Sequence, residues 1–196
     1  MIQNKANSRM LDRAIVLATR AHSGMLRKKD GIPYILHPME VVSITGSITN
    51  DEEVLTAALL HDTVEDTDVT LDMVREQFGD RVAALVASET EDKHRGRHPA
   101  ETWRQRKEES LAALRNAEDP GVRVLWLSDK LANMRSFARQ YEKEGDRMWK
   151  DYNQSDPAQQ AWYYRTVEAL TSDLKDTDAW KELHALNARV FGDVKN

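Results

Sequence analysis

Residues 54–67 read VLTAALLHDTVEDT. In the first half, Val54, Ala57, Ala58 and Leu60 fall along one stripe, the mark of a helix that turns a face to a core. In the second half, from His61 to Thr67, only Val64 lacks a polar or ionisable group. His61 and Glu65 are four apart, and so are Asp62 and Asp66, so on a continuing helix each pair shares a face. Carboxylates at the end of a core helix are expensive to bury unless they are paired or bind a cation. Acids at a helix C-terminus also oppose the macrodipole. Fraying of the helix end into solvent is one answer. A metal cation at the helix end is another, and it removes both costs.

The remaining chain reads as helix. Apolar positions 11, 14, 15, 17 and 18 make residues 8–22 amphipathic, with Ser8 to cap and Gly24 to stop. A polar turn with breakers at Asp30-Gly31 and Ile32-Pro33 leads to a helix expected to open at Pro38, with His37 just before it. The helix of the quoted stretch is expected over 51–63. Thr70 can cap LDMVREQF, Gly79 can end it, and RVAALVASE follows. Residues 91–100 read as a loop. Helices are expected from Thr102 to Ala117, from Val122 to Arg139, and in two C-terminal segments within 157–192, while the polar stretch 142–156 reads as irregular. No strand alternation, repeat or low-complexity tract is evident. The expected fold is all-α, a single-domain helical bundle over residues 1–196, with C-terminal helices 157–192 packed on a core that holds the motifs of 11–140.

Composition narrows the function. The chain has no cysteine, which excludes disulfides and thiolate chemistry. No apolar run approaches membrane length and the polar N-terminus is not a signal peptide, so a cytoplasmic protein without a membrane partner is expected. The net charge of −5 argues against nucleic-acid binding. Two basic spots stand out, Arg27-Lys28-Lys29 and the six basic residues against one acid between Lys93 and Lys107, and they suit either a small polyanion or plain solvent. The oligomeric state is left undecided, and a homo-oligomer is compatible with the sequence.

A metal site needs ligands from distant segments. His37 in PYILHP is one candidate, against a helix-capping role. Asp129 in the apolar run VLWLSDKLANM is another, against a surface acid paired with lysine; Asn133 lies one turn on. With His61 and Asp62 these make a mixed nitrogen and oxygen set, which favours manganese, iron, cobalt or zinc over calcium. Glu65 and Asp66, one turn beyond, are the groups a hydrolytic site needs to orient or deprotonate water and to help the leaving group.

AALLHDTVEDT, PYILHP and LSDKLANMR, in this order and spacing, resemble the HD superfamily of metal-dependent phosphohydrolases, and within it the hydrolase domain of the RelA/SpoT alarmone enzymes. The chain is similar to a stand-alone small alarmone hydrolase. The resemblance implies an all-helical HD-type fold and removal of the 3′-pyrophosphate of guanosine tetra- or pentaphosphate, (p)ppGpp, as GDP or GTP plus pyrophosphate. It implies one manganese(II) ion on His37, His61, Asp62 and Asp129, and a catalytic acidic pair at Glu65 and Asp66. It also implies substrate contacts from Arg27, Lys28, Lys93, Asn133 and Ser136. Departures from the family pattern are Ser128, where alanine is frequent, and Ala132, where histidine or tyrosine is frequent. The segment WYYR, Trp162–Arg165, offers rings for a base or for the core, and the core is the simpler reading. His94 and His98 are four apart, but Gly96 and Pro99 speak against a helix that would make them a second metal site. Two other readings remain. One is the same site acting on another nucleotide, such as the adenosine alarmone ppApp, NADPH or a nucleoside monophosphate. The other is a nucleotide-binding regulatory module without chemistry.

Overall fold

A computed structural model of the chain describes residues 10–27, 31–91 and 96–192. These residues are helical, with no strand among them and only an isolated bridge between Leu26 and Pro33. They fall into two compact units, Met1–Thr90 and Glu91–Asn196. No described helix is long and apolar enough to cross a membrane.

The first unit is built around α3 (Glu52–Leu60), which packs against α1 (Met10–Ala21), α2 (Leu36–Ile48) and α6 (Asp80–Glu89). Val54, Ala57, Ala58, Leu59 and Leu60 are fully or almost fully buried, so the apolar stripe is the centre of this unit. On α1 the buried positions are Ala14 and Ala18, small side chains that let the neighbouring helix approach closely. Asp51 caps α3 by accepting from the Glu53 amide at 3.0 Å. Arg81 of α6 pairs with Asp51 at 2.7 Å and Glu53 at 2.9 Å, tying α6 to that same end. Thr70 caps α5 (Leu71–Phe78) as expected, and Gly79, at φ 93°, turns the chain into α6.

Helix boundaries near the motifs differ from the sequence reading. The second helix starts at Leu36, so His37 lies in its first turn rather than before it. Pro38 is tolerated there because first-turn amides have no intrahelical partner to lose. Helix α3 does not run on to Thr63; it ends at Leu60, and a separate turn, α4 (Thr63–Asp66), follows. Two side chains cap the break. His61 Nδ1 bonds the Ala58 carbonyl at 2.9 Å, and the Thr63 hydroxyl donates to the Leu60 carbonyl at 2.7 Å. Backbone bonds from Asp66 N to Asp62 O and from Thr67 N to Thr63 O then close α4.

The second unit comprises α7 (Pro99–Asn116), α8 (Pro120–Glu144), α9 (Pro157–Leu170) and α10 (Asp178–Phe191), with a 3₁₀ segment at Gly145–Asp151. Helix α8 is its axis; α9 and α10 pack on it, and Val122, Leu125, Leu127, Leu131 and Met134 are buried along its length. The Asp119-Pro120-Gly121 breaker is the start of this helix: Asp119 accepts from the Gly121 amide at 2.8 Å and Pro120 takes the first position. Residues 142–156 are more ordered than their polarity suggests. Helix α8 continues to Glu144, and Met148 and Trp149 bury themselves in the 3₁₀ segment, with Trp149 against Phe137 and Phe191. Helix α7 opens at Pro99 and shortens the expected loop; His98 is its cap, Nδ1 accepting from the Ala100 amide at 3.3 Å. His94 lies outside the described residues.

Candidate metal centre

His37 comes from the first turn of α2 and His61 from the capped end of α3. Both are buried. Their Nε2 atoms face each other at 3.3 Å, and both face Asp62 Oδ2, at 3.5 Å from His37 and 3.0 Å from His61. The backbone fixes the chemistry of this convergence. A carbonyl only accepts, so the His61 Nδ1 contact with Ala58 puts the ring proton on Nδ1. In the neutral imidazole Nε2 then presents a lone pair, aimed at a carboxylate oxygen and at a second imidazole nitrogen. Electron pairs so arranged in a buried site call for a cation between them. The donor set fits a divalent transition metal.

Asp62 and Asp66 keep the four-residue relation expected of them, despite the break, through the Asp66 N to Asp62 O bond of 3.0 Å. Asp66 is exposed and Glu65 half-buried. A residue missed in the sequence reading joins them: the Tyr34 hydroxyl lies 2.7 Å from Asp62 Oδ2 and 3.1 Å from Asp66 Oδ2. Tyr34 is held by the turn before it, where Arg27 N bonds Ile32 O, Gly31 N bonds Arg27 O, and Tyr34 N bonds Met25 O, each at 2.9 Å. Gly31 takes a left-handed conformation in that turn, at φ 63°. The Tyr34 ring packs on His22, with centroids 4.8 Å apart. His22 is itself buried, and neither of its ring nitrogens finds a hydrogen-bond partner among the described residues. Burial pushes its imidazole below the ordinary range, although the carboxylates of Asp62 and Asp66 pull the other way. The signal for both residues was present as a histidine and a tyrosine flanking the basic turn, but neither spacing nor periodicity singled them out.

In the second unit, Asp129 is not a surface acid. It is buried in α8, accepting from Asn133 Nδ2 at 2.8 Å and facing Lys130 Nζ at 2.5 Å. Asn133 and Ser136 are half-buried one and two turns along the same helix.

The basic residues divide. Arg27 is half-buried, with its backbone in the turn before Tyr34, while Lys28 and Lys93 lie outside the described residues. Much of the cluster between Lys93 and Lys107 serves structure rather than an anion. Arg106 Nη1 and Lys107 Nζ clamp Glu91 at 2.6 and 2.5 Å. Arg104 pairs with Glu108 and stacks 3.3 Å over Trp162. Tyr163 and Tyr164 are buried, so the aromatic segment is core.

The Glu91 clamp carries its own pH signature. Burial pushes its carboxyl up, but Lys107, Lys130 and Arg106 together outweigh burial and hold it below its ordinary value of 4.5. A depressed carboxylate contributes stability that is complete above the unfolded value and lost as pH falls through the lower folded one. Glu91→Gln is therefore expected to cost about 3 kcal/mol at neutral pH, since it leaves two half-buried cations against an amide. That is about 6–12 °C in Tm. The gap between variant and wild type should close as pH falls below 4.5. A gap of the same size at pH 7 and in strong acid would rule out the ion cluster as its source.

Residues 14–153 match the family model described as HD domain. The chain belongs to the HD-domain family. The resemblance of HDTVEDT and its companion motifs to that family is thereby borne out, as is the all-α fold. Within the family, the chain is 40% identical over 130 residues to an Aquifex aeolicus protein named guanosine-3′,5′-bis(diphosphate) 3′-pyrophosphohydrolase, covering 65% of this chain. It is 42% identical over 134 residues to a Mycobacterium leprae protein named probable GTP pyrophosphokinase, covering 68% of this chain. These relatives are far longer: the match takes in 18% of the first and 16% of the second. Among the solved structures matched along nearly their whole length is a metazoan ortholog of SpoT described as hydrolysing ppGpp. The likeness covers 94% of this chain and 95% of that one, with a TM-score of 0.66 at 25% identity.

Proposed function

We propose that the chain is a manganese-dependent (p)ppGpp 3′-pyrophosphohydrolase, acting in the cytoplasm on a small nucleotide. The observation that carries this is the convergence of His37 Nε2 and His61 Nε2 on Asp62 Oδ2, in the HD-domain family. A relative of matching length is described as hydrolysing ppGpp, which supports the choice of substrate. In this reading His37, His61, Asp62 and Asp129 are the ligands. A divalent cation held there would polarise a phosphoryl oxygen and make water a stronger nucleophile at neutral pH.

The chain's own side chains supply the rest. Glu65 and Asp66, one turn beyond the ligands, orient the attacking water and take its proton on a carboxylate oxygen. Arg27, Lys28 and Lys93 neutralise the pyrophosphate, so that charge on the phosphoryl oxygens under attack is met by fixed cations. Asn133 and Ser136, on the face of α8 that carries Asp129, contact the nucleotide.

The test is pyrophosphate release from ppGpp by purified protein with manganese, then with a chelator. Release of GDP and pyrophosphate that requires manganese is the expected result. No release from folded, metal-loaded protein overturns the substrate assignment, and ppApp, NADPH and nucleoside monophosphates are then the panel to run. Affinity for ppGpp without product would instead point to a regulatory module.

A further inference from the structure

We propose that Tyr34 is a positioning residue of the metal centre, orienting the ligand Asp62 and the catalytic Asp66 through a single phenolic hydroxyl. This rests on the reading of His37, His61 and Asp62 as metal ligands. The geometry is unusual for a tyrosine that merely packs. Its oxygen sits 2.7 Å from Asp62 Oδ2, the same oxygen that both imidazoles face, and 3.1 Å from Asp66 Oδ2. The phenol has one proton and two carboxylate neighbours. At the shorter distance it donates to Asp62, which fixes the direction of that oxygen's remaining lone pairs toward the histidines. The longer contact of the same hydroxyl with Asp66 Oδ2, at 3.1 Å, holds the second carboxylate beside the first. In catalysis the water O–H bond breaks as its proton passes to the acidic pair, the water oxygen bonds to the phosphorus that carries the ribose 3′ oxygen, and the bond from that phosphorus to the 3′ oxygen breaks, the 3′ oxygen taking up a proton as pyrophosphate is released. The phenol itself gains and loses nothing.

The tyrosine is held for this task from both sides. Its backbone is pinned by the 2.9 Å bond from its amide to Met25 O, and its ring lies on buried His22 and edge-on to His37. A ring so clamped cannot swing away from the carboxylates without disturbing the core.

Tyr34→Phe keeps the ring and removes only the oxygen. Manganese affinity, measured by titration of the protein with Mn²⁺ alone, is expected to fall about 10-fold or more, the range seen when an outer partner of a metal ligand is lost. At saturating manganese, kcat for ppGpp is expected to fall about 10-fold or more with KM within about twofold, since Asp66 is misaligned and substrate binding is not touched. Unchanged manganese affinity overturns the tie to Asp62, and unchanged kcat at saturating metal overturns the tie to Asp66. If wild-type protein releases no pyrophosphate from ppGpp, the proposed substrate fails, and the manganese titration still decides the role of Tyr34.

Discussion

Glu65→Gln with Asp66→Asn leaves the fold and manganese binding intact and lowers turnover of ppGpp about 10³-fold, within the range that general acid–base groups supply. The expectation follows from what an amide keeps and what it loses. Both replacements are isosteric. Glu65 and Asp66 lie in and at the rim of α4, half-buried and exposed, so no core packing is disturbed. The amide that replaces the Asp66 carboxylate still offers an oxygen toward Tyr34, so the carboxylates of the metal side keep their surroundings. Neither amide takes a proton from water, and that is the only function removed. Circular dichroism and a manganese titration establish that fold and metal are unchanged before rates are compared. A double variant with full turnover would show that the roles assigned to this pair are wrong.

Asp129→Asn is expected to remove the response to manganese. Wild-type protein at a manganese concentration of 100 times its Kd gains about 2.7 kcal/mol, because the ion binds only the folded state. For a chain of this size that is about 5–10 °C in Tm. The variant retains an oxygen to accept from Asn133 and a group of the same shape beside Lys130, so its metal-free stability changes by only about 1–2 kcal/mol. What it lacks is the negative charge that a divalent ion requires at a buried position. The manganese-induced rise in Tm therefore disappears, and turnover disappears with it. An undiminished rise would take Asp129 out of the ligand set.

How much of this was legible in the sequence depends on how far apart the partners are along the chain. Local chemistry was readable. The stripe from Val54 to Leu60, the Thr70 cap, the Gly79 stop and the all-α class rest on contacts a few residues apart. The break after Leu60 was not, because it is made by side-chain bonds from His61 and Thr63 to carbonyls, and such bonds leave no periodic trace. The order in 145–151 turns on Met148 and Trp149, two apolar residues in a polar stretch, too few for a pattern. Arg106 and Lys107 read as an anion-binding spot because their partner, Glu91, lies 15 and 16 residues away. Tyr34 escaped for the same reason: its two carboxylates are 28 and 32 residues off. The proposed ligands themselves could be named from sequence because their motifs are short and chemically improbable in a core.

The capped end of α3 has a consequence for how the protein lives with its metal supply. His61 is oriented by a bond to its own backbone, three residues back, and the helix that carries it is packed mainly through Val54, Ala57, Ala58, Leu59 and Leu60. The orientation of His61 is therefore a product of folding and not of an ion. Stripping the metal should idle the chain rather than unravel it, in contrast to small domains that collapse without zinc. If the proposed activity holds, it is expected to follow the free concentration of the ion, falling and returning within the time of a binding step, with no refolding in between.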